Sequence, residues 1–288
     1  MSGKLVLVGT PIGNLEDLSP RALRALREAD FIAAEDTRVS AKLCTHFGVQ
    51  KPMVSYFEHN ARRRGEEIIR RIEAGEVCAL VTDAGMPCIS DPGEGIVALC
   101  AQRDLPVEVV PGPSAFVTAL AVSGLPAGRF VFEGFLDTGR RERDERLQEL
   151  RAERRTIIFY EAPHRLARTL ADLYTAFGER RTALVRELTK IHEETLRLPL
   201  SKAVERFREM EPRGEFVIVV EGAPAPAAEE IPLEEAVSMT LSRAQAGLPL
   251  SKAAREVAAL TGYARTALYS GALRARENRA EEDPSGRG

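Results

Sequence analysis

Five short apolar runs, Lys4–Gly9, Phe31–Glu35, Met53–Phe57, Val77–Thr82 and Val107–Val110, are of strand length and too short for helices. Segments of helical character near 20–28, 40–47, 60–74, 94–103 and 114–123 fall between or after them. Short strands that alternate with helices predict a mainly parallel sheet covered by helices on both faces. Ser19-Pro20 supports the first helix, with a capping hydroxyl followed by Pro at the first helical position. The pattern breaks at Leu125-Pro126-Ala127-Gly128.

A second series follows the break. Strands are expected at Phe130–Phe135, Thr156–Tyr160, Thr182–Leu188, Glu194–Leu198 and Phe216–Glu221, with helices near 140–153, 163–176 and 201–210. This is a second α/β unit with a mixed sheet, antiparallel toward its end. Gly222-Ala223-Pro224-Ala225-Pro226-Ala227-Ala228 then reads as an extended or flexible linker. Three helices are expected beyond it, at 233–246, 251–260 and 264–277. The division is therefore an α/β domain at 1–124, a second at 125–222, a linker at 223–232, a basic helical extension at 233–279 and a disordered tail at 280–288. A chain of 288 residues accommodates this, at about 100–200 residues per domain.

Composition excludes some partners. Net charge is −3, so no global attraction to nucleic acid or membrane is indicated. Arginine greatly outnumbers the six lysines, a bias that reads as genome composition unless a local cluster says otherwise. One local excess exists: residues 242–279 hold seven Arg or Lys against two Glu. Cys44, Cys78, Cys88 and Cys100 form no C-x-x-C pair and have no His at metal-ligand spacing, so no metal is expected. Cys88 has no His near it in sequence to activate a thiol. No leader pattern or bilayer-length apolar run is visible, and a reducing cytoplasm is the expected location.

The chemistry is expected in the loops after the strands. Asp83-Ala84-Gly85-Met86-Pro87 and Asp91-Pro92-Gly93 follow the fourth strand, where α/β sheets open a ligand crevice. Glycines let backbone approach a ligand, and prolines hold the turns. Gly9-Thr10-Pro11-Ile12-Gly13 follows the first strand, but its G-x-x-x-G spacing is not a dinucleotide fingerprint, although Glu35 and Asp36 lie where a ribose-binding acid would. No Gly-Lys-Ser/Thr follows, which excludes a P-loop. Pro111-Gly112-Pro113-Ser114-Ala115 follows the fifth strand, with Ser114 at a helix N-cap. All three loops leave one sheet edge. Lacking a cation cluster and acidic at Asp83, they suit a neutral or cationic ligand. The second unit adds Phe159-Tyr160-Glu161-Ala162-Pro163-His164-Arg165 and Arg186-Glu187-Leu188-Thr189-Lys190 at strand ends.

Together with Thr10-Pro11-Ile12-Gly13-Asn14-Leu15 and Ala34-Glu35-Asp36-Thr37-Arg38, these motifs resemble the tetrapyrrole methylase superfamily, and within it the enzymes that methylate small-subunit ribosomal RNA. The motifs run in order through residues 4–221, and the helices at 233–276 resemble that branch's C-terminal extension. Met86 stands where the family more often has Thr, and Thr82 where it often has Ser. The resemblance implies two α/β domains with S-adenosylmethionine folded into the cleft between them. It further implies 2′-O-methylation of a cytidine in the decoding region of 16S rRNA, with a homodimer acting on the small ribosomal subunit. By the same resemblance, Ile12, Asp83, Met86, Ser114 and Ala115 contact the cofactor from the first domain, and Tyr160 and Leu188 from the second.

Methyl transfer to a ribose hydroxyl needs in-line orientation and a base or a cation that stabilises the oxyanion. Lys190 is the first candidate, on the expectation that burial or neighbouring Arg depresses its pKa; Asp36 is the second. The plain alternative for Lys190 is a surface pair with Glu187. Two other functions compete. Leu250–Ala254, Gly262 and Ala264–Leu273 resemble a helix–turn–helix, which would suit a DNA-binding regulator with an α/β sensor domain. A methyltransferase acting on a tetrapyrrole itself would have no use for the basic extension.

Overall fold

The computed structural model describes residues 3–210, 212–225 and 231–282. Part of the expected linker, 226–230, and the end of the expected tail, 283–288, lie outside the described residues. The chain divides into two compact units, residues 1–223 and 224–288.

The first unit begins with β1 (Lys4–Val8), α1 (Pro20–Glu28), β2 (Phe31–Ala34), α2 (Thr37–His46), β3 (Met53–Ser55), α3 (Ala61–Glu73), β4 (Val77–Val81), α4 (Glu94–Gln102) and β5 (Val107–Val110). The strands form one sheet in the order β3-β2-β4-β1-β5. Every pairing in it is parallel. The strand period of two divides the apolar runs between the faces. Val6, Val8, Ile32, Ala34, Ala79 and Val81 pack with Ala22 and Leu26 of α1. Leu5, Phe31, Ala33, Cys78 and Leu80 pack with Ile68, Ile69 and Ile72 of α3 and Ile96 and Cys100 of α4. Both faces of β1, β2 and β4 are covered, so these three strands tolerate no polar alternation.

α5 (Ala115–Ser123), β6 (Phe130–Phe135), α6 (Arg140–Leu150), β7 (Thr156–Glu161), α7 (Pro163–Phe177), β8 (Arg181–Arg186), β9 (Glu194–Pro199), α8 (Leu200–Phe207) and β10 (Phe216–Val220) complete the unit. The second sheet runs β6-β7-β10-β8-β9. Only β6 and β7 are parallel; β10 runs antiparallel to both its neighbours, and β9 to β8. Its outer face buries Ile157, Phe159, Leu184, Phe216 and Ile218 under Leu166, Leu170 and Leu173 of α7 and Leu200 and Phe207 of α8. Each such Leu or Phe contributes about 1.5–3 kcal/mol on burial.

Two expectations change. The sequence places the 114–123 helix with the first domain, yet Ala119 and Leu120 of α5 pack on Ile158, Ala183, Val185, Val217 and Val219 of the second sheet. A uniformly apolar helix fits either sheet by pattern, and its partner is settled by tertiary packing. The strand expected over 182–188 stops at Arg186, because Glu187 takes a left-handed conformation with φ 52°.

The second unit is a three-helix cluster: α9 (Leu233–Gln245), α10 (Leu250–Thr261) and α11 (Arg265–Glu282). Ala236, Ala254, Val257 and Leu268 form its small core. Gly262, at φ 77°, ends α10 in the left-handed conformation that glycine adopts without strain, as the expected turn requires. Among the described residues no helix is long and apolar enough to cross a membrane.

Candidate functional site

β1 lies between β4 and β5, so the loops leaving their carboxyl ends are neighbours. They lock together through backbone. Thr10 N–H donates to the Gly85 carbonyl at 2.9 Å, and Gly85 N–H donates back to Thr10 at 3.2 Å. The buried Thr10 hydroxyl donates to the Thr82 carbonyl at 3.2 Å. Gly9 and Gly112 meet so closely that a Cβ on Gly9 would lie 2.6 Å from the Gly112 Cα. The Gly112 N–H points at the Met86 sulfur, 3.2 Å away. The glycines are needed here because two backbones occupy the space of side chains.

Carboxylates brace the neighbouring loops. The Thr82 hydroxyl donates to Glu35 Oε2 at 2.6 Å, and the Asp36 N–H donates to Asp83 Oδ1 at 3.1 Å. Thr82 thus does what a Ser hydroxyl would do. Burial raises the Asp83 carboxyl pKa. Burial, reinforced by the negative charge of Glu35, pushes Asp91 up to about 6. Both shifts have one cause: anions held partly out of water without full compensation. A cation entering beside them would relieve the strain.

The second sheet supplies the opposite wall. The Tyr160 hydroxyl accepts from the Phe116 N–H at 3.2 Å, tying the start of α5 to β7. Burial pushes its phenol up to about 12. After β8 the chain turns through Glu187 and Thr189, both non-glycine residues at positive φ (52° and 65°). This costly conformation brings Leu188 and Lys190 to the wall. Glu187 Oε1 accepts from Lys190 Nζ at 2.9 Å and from the Glu215 N–H at 3.1 Å, while Glu215 Oε2 accepts from Lys190 at 2.8 Å. The stem of Lys190 lies over Gly13, where a Cβ would meet its Cγ at 2.6 Å.

These walls enclose a cavity of about 570 Å³. Ile12, Asp83, Met86, Ser114 and Ala115 line it from the first sheet's loops and from the start of α5. Tyr160, Leu188 and Lys190 line it from the second sheet's side. Glu35, Asp91, His164 and Glu215 line it as well. Asp91 and Glu35 stand in motifs visible in the sequence, whereas Glu215, between Gly214 and β10, carries no sequence signal.

Several expected roles do not hold. Lys190 is not depressed: desolvation is the largest influence and lowers it, but the bonds to Glu187 and Glu215 together outweigh it and raise the pKa. The surface pair with Glu187 exists, extended to Glu215. Asp36 is not among the lining residues. It caps α2, accepting from the Arg38 N–H at 2.8 Å and from its guanidinium, which holds the carboxyl at about 2. Ser114 stands at the N-cap of α5 without a side-chain capping bond; its carbonyl accepts from Thr118 instead. Arg165 is not among the lining residues but pairs with one of them, Glu161, at 3.3 Å. Burial pushes the Cys88 thiol up to about 11, in the direction expected for a residue with no His nearby to activate it.

Comparison with known proteins agrees with this architecture. The family model described as tetrapyrrole (corrin/porphyrin) methylases matches residues 4–204, and that of the RsmI C-terminal HTH domain matches residues 227–276. A protein of Synechocystis sp. named ribosomal RNA small subunit methyltransferase I is 46% identical, over 93% of this chain and 96% of its own. One of the same name from Thermotoga maritima is 46% identical over 220 residues, 76% of this chain and 99% of its own. That relative is therefore about the size of the first unit alone. Among solved structures, a uroporphyrin-III-C-methyltransferase from Thermus thermophilus superposes with a TM-score of 0.55 at 22% identity, covering 75% of this chain and 94% of that one. At that identity the likeness shows the fold.

Proposed function

We propose that this chain, which belongs to the tetrapyrrole (corrin/porphyrin) methylase family, is an S-adenosylmethionine-dependent methyltransferase of small-subunit rRNA that modifies the 2′-hydroxyl of a cytidine ribose in the decoding region. The observation that carries the reading is the cavity lined by Asp83 and Asp91 from the first sheet's side and by Lys190 from the other. Its size is usual for a cofactor site. The carboxylates at Asp83 and Asp91 suit a positively charged ligand, and the glycine loops offer backbone to it. Within the cavity, Ile12, Asp83, Met86, Ser114, Ala115, Tyr160 and Leu188 would hold S-adenosylmethionine, which supplies a methyl group on a sulfonium.

The chain's own part is orientation and charge. Rigid loops, fixed by the Thr10–Gly85 exchange and the Gly9–Gly112 contact, would keep a bound cofactor oriented toward the hydroxyl. Tyr160, Leu188 and Ile12 exclude water. Lys190 is protonated at neutral pH, so it serves the developing oxyanion as a fixed cation and not as a proton acceptor. Glu187 and Glu215 hold its ammonium in place.

The test is direct. Purified protein, S-adenosylmethionine and unmodified small subunits are combined, and the rRNA nucleosides are analysed by mass spectrometry. One 2′-O-methylcytidine is expected; methylation on a base, or rRNA left unmethylated, overturns the reading.

A further inference from the structure

The first unit has a second concavity, lined by His59, Asn60, Arg62, Arg63, Glu66 and Arg70. It is formed by the β3–α3 connection and one face of α3, where Arg62, Glu66 and Arg70 stand four residues apart and so line up. Arg62, Arg63 and Arg70 are exposed. Neighbouring arginines are already engaged: Arg64 with Glu67 at 2.6 Å, and Arg103 with Glu66 at 2.6 Å and Glu73 at 3.1 Å. Arg103 thereby neutralises the one acid in the groove. Among the described residues, no carboxylate pairs with Arg62, Arg63 or Arg70. Uncompensated cations in one groove of a chain with net charge −3 call for a polyanion.

Aromatic rings stand beside them. Phe57 is 38% exposed and meets the His59 ring edge to face, with centroids 6.3 Å apart. The connection is held in place by Asn60, which accepts from the Phe57 N–H at 2.9 Å and donates to the Ser55 carbonyl at 3.2 Å. Exposed rings next to unpaired cations suit single-stranded nucleic acid, because bases stack on the rings while phosphates meet the charges. The position fits as well. β3 pairs with β2 in parallel, so the β3–α3 connection leaves the sheet on the same edge as the loop that carries Glu35. The Thermotoga maritima relative, which is about the size of the first unit, has no room for a basic second unit.

We infer that this groove grips the single-stranded RNA flanking the nucleotide presented to the cavity; the inference rests on the rRNA reading above. The test measures binding of a short fluorescein-labelled, cytidine-rich single-stranded RNA to the full chain across a salt series. The double variant Arg62→Ala/Arg63→Ala should bind about tenfold more weakly at low salt. Its log–log salt slope should be shallower by about 1.4, for two lost phosphate contacts. Phe57→Ala should weaken binding about fivefold or more with no change of slope. Arg140→Ala/Arg141→Ala removes equal charge from α6, where both arginines are paired with acids, and should bind as the parent does. Wild-type affinity and slope in the groove variants, or an equal loss in the α6 control, overturns the inference. Groove-dependent RNA binding by a protein that leaves small subunits unmethylated upholds the groove and rejects the activity.

Discussion

Substitution of Gly112 by Ala tests whether the backbone contact between the first and fifth strand loops builds the cavity. A Cβ at Gly112 would lie 2.8 Å from the Gly9 Cα, 2.9 Å from its carbonyl carbon and 3.0 Å from its oxygen. Non-bonded carbons prefer about 3.5–4.0 Å, so the loops must part by roughly 1 Å. Neither neighbour is the end of a flexible side chain. Forced overpacking of this kind costs about 1–3 kcal/mol. At about 2–4 °C per kcal/mol for a unit of this size, Tm should fall by roughly 2–12 °C. The effect on function should be larger, since a misplacement of about 1 Å at a reacting centre costs on the order of 100-fold in rate. Calorimetry gives Tm and S-adenosylmethionine affinity on one sample, and single-turnover methylation gives the rate. Gly128→Ala is the control: nothing lies within 4 Å of its added Cβ, so stability should stay within about 0.5 kcal/mol of the parent. A Gly112→Ala protein with the parent's Tm, cofactor affinity and rate would show that the close approach is irrelevant to the site.

Asp91 ties cofactor affinity to pH. Its carboxyl, raised to about 6, is protonated below that pH and ionised above it, so affinity for the cationic S-adenosylmethionine should climb as pH rises through 6. S-adenosylhomocysteine, whose sulfur is neutral, should climb less, and Asp91→Asn should flatten the first curve; equal slopes for both ligands would sink the argument. Lys190→Ala should slow single-turnover methylation with cofactor affinity nearly unchanged, and Lys190→Arg should restore part of the rate because it restores the cation. A rate that instead follows deprotonation of a group near the lysine range would return Lys190 to the role of base. Deleting residues 224–288 should keep S-adenosylmethionine affinity, weaken RNA binding and reduce its salt dependence, given seven Arg or Lys against two Glu over 242–279. A truncated protein that binds RNA like the full chain would remove the helical unit from the interface.

What was legible in the sequence was whatever local pattern controls. β1, β2 and β4 are short apolar runs packed on both faces, and a run such as Val77-Cys78-Ala79-Leu80-Val81 has no other stable use. The lining loops were legible too, since Gly, Pro and Asp at strand ends mark backbone that leaves a sheet under constraint. Partner choice was not. Ala115–Ser123 is apolar on all sides, so only packing reveals that it serves the second sheet. Charge state was hidden for the same reason. The pKa of Lys190 depends on Glu215, twenty-five residues away and in no motif, whose carboxylate reaches it only because β10 pairs antiparallel with β8.

The same pairing explains why one cavity can serve two opposite charges. Asp83 and Asp91 stand in the loop that leaves β4 of the first sheet, where burial, reinforced by the negative charge of Glu35, raises both carboxyls. Lys190 leaves the second sheet, where Glu187 and Glu215 compensate it in advance. An uncompensated anion favours entry of a cation, whereas a compensated cation can stabilise a new anion only by sharing its partners. The raised anions and the lysine thus come from different sheets. The contact of Lys190 with Gly13 is where loops of the two sheets meet, since the first loop must lack a side chain for the lysine to cross it. Gly13→Ala, which would place a Cβ 2.6 Å from the Lys190 Cγ, should therefore reduce turnover more than it reduces cofactor affinity.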